Sequence, residues 1–104
     1  MYYTYIIRCK DNSLYTGITT DLERRVREHI TKDEKCAKYT YLHTAIKLEG
    51  AWISENRVNA SKLEYWIKHL TKTQKERLIQ YPNKIKDLLG NKIDCNLYSL
   101  YIKQ

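Results

Sequence analysis

Phenylalanine is absent from this 104-residue chain, proline occurs once and glycine three times. Ten tyrosines stand in its place, so tyrosine must fill core positions that phenylalanine usually takes, and a given tyrosine is by default a packing residue. No glycine- or proline-rich linker, internal repeat or low-complexity tract is visible, and one compact unit is expected at this length. Cys9, Cys36 and Cys95 make an odd set with no Cys-x-x-Cys spacing. That pattern argues against a disulfide framework or a zinc site and suits reduced thiols in a cytoplasmic protein. No apolar run is long enough to span a bilayer. The first residues enter a strand-like segment directly rather than a leader, so membrane contact is not expected.

What the chain does carry is positive charge: 19 Lys and Arg against 12 Asp and Glu, a net +7. Such a balance favours a polyanionic partner. The excess is spread over both halves of the chain, however, which is also how an ordinary solvated surface looks.

Read in order, Tyr2 to Cys9 is aromatic and β-branched, Lys10 to Ser13 is turn chemistry, and Leu14 to Ile18 is again strand-like. The two runs form an antiparallel hairpin. Thr20 with Glu23 reads as a capping box, opening a helix from Asp21 to about Thr31 with Leu22, Val26 and Ile30 on its apolar stripe. Lys32 to Lys38 is a charged loop, and Tyr39 to Thr44 reads as irregular. A third strand runs from Ile46 to Ser54, with a bulge near Gly50-Ala51. Asn59 is placed as the cap of a helix from Ala60 to about Leu70, and Thr71 starts another, Lys72 to Gln80. After Pro82, Asn83 to Leu89 is a short helix closed by Gly90 at C′, and Ile93 to Ile102 is an extended terminal segment. The expected architecture is α+β, a three-stranded antiparallel sheet flanked by helices.

Several residues bear chemistry. Arg25 and His29 stand four apart on the shoulder of the first helix's apolar stripe, a placement that an anionic substrate would explain; pairing of Arg25 with Glu28 or Asp21 is the ordinary alternative. Glu64 lies at the edge of the next apolar stripe with Lys68 four residues on, the spacing of a surface ion pair. Tyr5 and Tyr15 lie on the two hairpin strands, and a phenol acts as a base only where nearby cations favour its ionised form. Lys38, Tyr39 and Thr40 lie in a basic, tyrosine-bearing stretch of the kind on which single-stranded nucleic acid stacks.

Tyr3-Thr4-Tyr5, then Tyr15-Thr16-Gly17, then Arg25 and Glu64 on successive helices resemble the signature of the GIY-YIG endonuclease superfamily, especially its small single-domain bacterial members. The resemblance covers roughly residues 2–80, within a domain drawn as 1–81 followed by a C-terminal extension, 82–104. It implies metal-dependent cleavage of DNA phosphodiesters. By position it makes Tyr5, Tyr15, Arg25, His29 and Glu64 catalytic, with Glu64 holding one Mg²⁺ or Mn²⁺ and with Tyr5 or His29 as base. Gly17, Lys38, Tyr39 and Thr40 become substrate-binding residues, Gly17 by allowing close backbone approach. The absence of a duplex-reading module favours single-stranded or structured DNA. The tripeptides depart from the family pattern at Tyr3, Thr4 and Thr16, which motivates an alternative: a non-catalytic nucleic-acid-binding module that retains the fold. A third reading gives the tyrosine- and leucine-rich tail a protein partner.

Overall fold

The computed structural model describes residues 1–102. Strands β1 (Tyr2–Cys9) and β2 (Leu14–Thr19) form the expected hairpin. At its turn the Asp11 carboxylate accepts hydrogen bonds from the Ser13 backbone N–H and hydroxyl, and Asn12 takes the left-handed conformation, φ 69°, as asparagine readily does. Strand β3 (Ala45–Ser54) pairs with the other side of β1. Ile6 lies opposite Gly50 but Ile7 lies opposite Leu48, so Glu49 is the extra residue of a bulge beside the glycine expected to mark one.

The sheet has four strands rather than three, in the order β2-β1-β3-β4, because Ser99–Leu100 adds β4 antiparallel to β3. Residues 82–102 thus pack on the same body. Ile85 and Leu89 share a buried cluster with Ile6 and Trp52, Leu100 packs against it, and the Tyr98 hydroxyl donates to the Asn59 carbonyl at 2.6 Å. A two-residue strand has too little pattern to be read from sequence; its partner strand specifies it.

Alternation along β1 divides the interior in two. Ile6 faces the helices α3 (Arg57–Lys68), α4 (Lys72–Gln80) and α5 (Ile85–Leu89), where Leu63, Ile67 and Leu78 are fully buried. Each such side chain contributes about 1.5–3 kcal/mol by leaving water. Tyr5, Ile7 and Cys9 face the opposite side, against Leu22 and Val26 of α1 (Leu22–Ile30).

Capping corrects several expected boundaries. Asp21, not Thr20, caps α1, its carboxylate accepting from the Arg24 N–H at 3.2 Å. Asn56, not Asn59, caps α3, and Asn59 supplies the N–H it accepts, at 2.9 Å. Thr71 and Gln74 form the reciprocal capping box of α4. Gly90 is right-handed, φ −62°, rather than the left-handed C′ residue expected, and the chain winds on with Ile93 N–H bonded to Leu89 O. Lys38–His43, part of a stretch expected to be irregular, is a short helix, α2. No helix among the described residues is long and apolar enough to cross a membrane.

Candidate active site

Because Ile7 pairs with Tyr15 and Tyr5 with Gly17, the side chains of Tyr5 and Tyr15 share the sheet face that meets α1. Their ring centroids lie 6.3 Å apart, and the His29 ring is 5.7 Å from Tyr5 and 5.3 Å from Tyr15. Gly17 makes this possible by space, not by backbone conformation, since its φ is not in the left-handed range. A Cβ there would lie 2.5 Å from the Tyr5 hydroxyl oxygen and 2.7 Å from Cζ. Close approach was expected at Gly17, but the group that approaches is Tyr5.

The helical stripe differs from the expected one. Leu22, Val26 and His29 follow the i, i+4, i+7 spacing; His29 is fully buried, while Ile30 is exposed. A buried imidazole must satisfy both nitrogens, and here it does. The Thr40 hydroxyl donates its one proton to the Ala37 carbonyl at 3.0 Å, so it accepts from His29 Nδ1–H at 2.7 Å. Nε2 is then the acceptor, and the Tyr5 hydroxyl donates to it at 2.8 Å. The network therefore assigns the Nδ1–H tautomer. Burial, reinforced by the Arg25 charge, lowers the His29 pKa to about 4, keeping the ring neutral.

Burial also raises the Tyr5 phenol above its ordinary value, with Tyr15 adding to the rise and the Arg25 guanidinium beside it opposing. Tyr15 is raised chiefly by burial too, and again the Arg25 charge opposes while Glu64 adds. Arg25 and Glu64 therefore both project their fields onto the two phenols, from α1 and α3 respectively. Arg25 Nη1 bonds Glu28 at 3.1 Å, the ordinary pairing anticipated, and also the Lys35 carbonyl at 2.6 Å. Glu64 pairs with Lys68 at 3.4 Å, likewise as its spacing suggested.

The basic stretch is split. Lys38 is exposed on the first turn of α2. Tyr39 stacks between Tyr15, at 5.7 Å, and His43, at 4.1 Å. Thr40 is fully buried and holds His29 rather than facing outward. His43 and Asp11, bonded to each other at 2.5 Å, extend the aromatic row toward the hairpin turn; sequence reasoning passed over both. An Asp in a turn and a His in a stretch read as irregular carry no signal until α2 folds against the hairpin.

Tyr5, Tyr15, Arg25, His29, Tyr39, Thr40 and Glu64 are thus brought to one region, with Gly17 beneath. A cavity of about 790 Å³ between α1 and β3 is lined instead by residues such as Leu22, Val26, Ile46 and Leu48, and none of the candidate residues borders it. Among the described residues no group of three or more His, Cys, Asp or Glu side chains forms a metal cage. A single carboxylate such as Glu64 fits Mg²⁺, which keeps most of its waters and takes one or two carboxylates plus substrate phosphate.

Comparison with known proteins bears on this arrangement. The family model of the GIY-YIG catalytic domain matches residues 1–78. The chain is 41% identical over 78 residues to the UPF0213 protein BH0048 of Halalkalibacterium halodurans, covering 75% of this chain and 81% of that one. With the UPF0213 protein YhbQ of Salmonella arizonae it is 44% identical over 90 residues, covering 86% and 88%. The solution NMR structure of BH0048 from Bacillus halodurans aligns with a TM-score of 0.49 at 39% identity, over 83% of this chain and 96% of that one.

Proposed function

The chain belongs to the GIY-YIG catalytic-domain family, and from that premise we propose that it is a divalent-metal-dependent endonuclease hydrolysing phosphodiester bonds in single-stranded or structured DNA. The observation that carries the reading is the hydrogen-bonded chain from the Tyr5 hydroxyl through His29 to Thr40, set beside an arginine. Of the five expected catalytic residues, Tyr5 and His29 are almost wholly buried, while Tyr15, Arg25 and Glu64 keep partial exposure.

The division suggests the roles. Arg25 meets the phosphoryl oxygens: its Nη1 bonds Glu28 and the Lys35 carbonyl, and its planar fork suits the charge that builds in the transition state. The Tyr5 oxygen, already against that guanidinium, takes the proton of the attacking water as its own proton passes to His29 Nε2. A neutral imidazole with its lone pair aimed at the phenol is the form that can receive it. Thr40 holds the tautomer. Glu64 would hold one Mg²⁺ or Mn²⁺ after releasing Lys68. When bound, the ion makes its water a stronger nucleophile and polarises the phosphate.

The alternative, a binding module without turnover, is favoured by one observation: the Tyr5 phenol is raised, not lowered, so the fold does not hold a ready phenolate. Cleavage of end-labelled single-stranded and duplex DNA with Mg²⁺, Mn²⁺ or chelator separates the two. The nuclease reading expects metal-dependent products that vanish in Arg25→Ala and Glu64→Ala variants that remain folded. Salt-sensitive binding without products from either substrate favours the module, and undiminished cutting by both variants removes the site assignment.

A further inference from the structure

Helical spacing leads outward from Glu64. Arg57, Ser61, Glu64 and Lys68 recur at intervals of three and four, so they form one stripe along α3, and Tyr65 and Val58 flank it on the side away from the core. Tyr65 is half exposed and Val58 more so, 52% and 63%. Yet Tyr65 is not loose. Its ring is backed by His69, centroids 4.1 Å apart, and met edge-on by Trp66 at 5.0 Å. The Lys92 ammonium in turn lies over Trp66, 5.0 Å from its centroid. An aromatic ring ordered by its neighbours but left open to solvent loses little entropy when a further ring stacks on it.

Beside it runs a groove of about 460 Å³ lined by Arg57, Val58, Ser61, Lys62, Tyr65 and Trp66. No carboxylate lines it. Six of the other lysines and arginines are ion-paired among the described residues, with Arg8 on Glu49 and Glu76, Arg25 on Glu28 and Lys68 on Glu64 among them. Neither Arg57 nor Lys62 takes part in any ion pair among the described residues. Unmatched cations beside a fixed, exposed aromatic ring are complementary to a phosphate backbone whose bases are free to stack.

We infer that the outer face of α3 is a single-stranded DNA subsite, continuous with the candidate active site at Glu64. Tyr65 is its stacking platform, and Arg57 and Lys62 are its phosphate contacts. The inference deepens the nuclease reading and rests on it for the identity of the strand. Duplex DNA fits less well, since its bases are already stacked on one another and offer Tyr65 no free face.

The test is fluorescence anisotropy of labelled oligothymidylates of about four and about twelve nucleotides, with the full chain in chelator so that the probe is not consumed. Tyr65→Ala should weaken the longer probe by roughly 5- to 100-fold while changing the shorter one, which the Arg25 end alone can hold, much less. Tyr65→Phe, which keeps the stacking face, should bind as the unaltered chain does. Lys62→Ala should reduce the salt slope by about 0.7, one phosphate contact on a single strand. Unchanged affinity and length dependence in Tyr65→Ala overturns the inference, as does an altered sedimentation coefficient with unaltered DNA binding, which would mark the face as a protein interface. If the chain cuts DNA and Tyr65→Ala binds normally, the subsite is wrong and the nuclease reading survives. If it binds through Tyr65 but never cuts, the subsite stands and the nuclease reading falls.

Discussion

Replacing Gly17 by alanine isolates the packing that creates the site. The added Cβ would sit 2.5 Å from the Tyr5 hydroxyl oxygen, 2.7 Å from Cζ and 3.1 Å from Cε2 of Tyr15, all well inside ordinary contact at about 3.5–4.0 Å. Tyr5 is 1% exposed and bonded to His29, so the ring cannot simply swing out. Overpacking of this kind costs about 1–3 kcal/mol, and loss of the Tyr5–His29 hydrogen bond about 1 more. Against this, alanine in place of a strand glycine recovers about 0.5–1 kcal/mol. The net expectation is destabilisation by about 1–3 kcal/mol, or roughly 5–20 °C in Tm for a chain of this size. Gly50→Ala is the control, because a Cβ there would meet nothing nearer than Trp52 at 3.7 Å and should leave Tm unchanged or higher. Thermal unfolding followed in the tyrosine near-ultraviolet band, with DNA cleavage assayed well below each variant's Tm, reads both effects. Gly17→Ala should be inactive even where it is folded. A Gly17→Ala variant that melts no lower than Gly50→Ala would refute the argument that this glycine exists to seat the phenol.

Thr40→Val leaves His29 Nδ1–H without its acceptor, a loss of about 1–3 kcal/mol, and should cut cleavage while Thr40→Ser retains it; imidazole ¹⁵N shifts report the tautomer directly, and an unchanged tautomer in Thr40→Val defeats the assignment. His29 titrates at about 4 when folded against an ordinary 6.5, so between those values the unfolded chain binds the extra proton. Its effect on stability is therefore flat above pH 6.5, and about 3 kcal/mol is lost as the pH falls from 6.5 to 4. Urea unfolding across that window should show the slope in the native chain and not in His29→Gln. Deleting residues 91–104 removes β4 and the Tyr98–Asn59 bond, so it should lower Tm and cleavage together; a deletion as stable and active as the full chain would return this segment to the role of a free tail.

Much of the scaffold was legible because its signals are local. The Tyr2–Cys9 and Leu14–Thr19 hairpin, the Thr71–Gln74 box of α4 and the apolar spacing of Leu63 and Ile67 each depend on residues within a few positions of one another. The cap positions of α1 and α3 slipped because Thr20 and Asp21, like Asn56 and Asn59, are all competent caps, and only the backbone geometry chooses between them. Helix α2 left no local trace: Ala37 makes no side-chain cap, and the turn is held by Thr40 on His29 and by Tyr39 between Tyr15 and His43.

The sequence by itself determined the antiparallel hairpin and the order of the main helices, since periodicity and capping act along the chain, while Tyr5, Tyr15, Arg25 and Glu64 became candidates through the likeness of the tripeptides to the family signature. Only the tertiary structure decided that Tyr5 lies opposite Gly17, that Thr40 orients His29 instead of meeting solvent, and that Ser99–Leu100 completes a fourth strand. Those outcomes come from contacts between residues distant in sequence, whose free energy is absent from any local stretch and appears only when the sheet closes against α1 and α3.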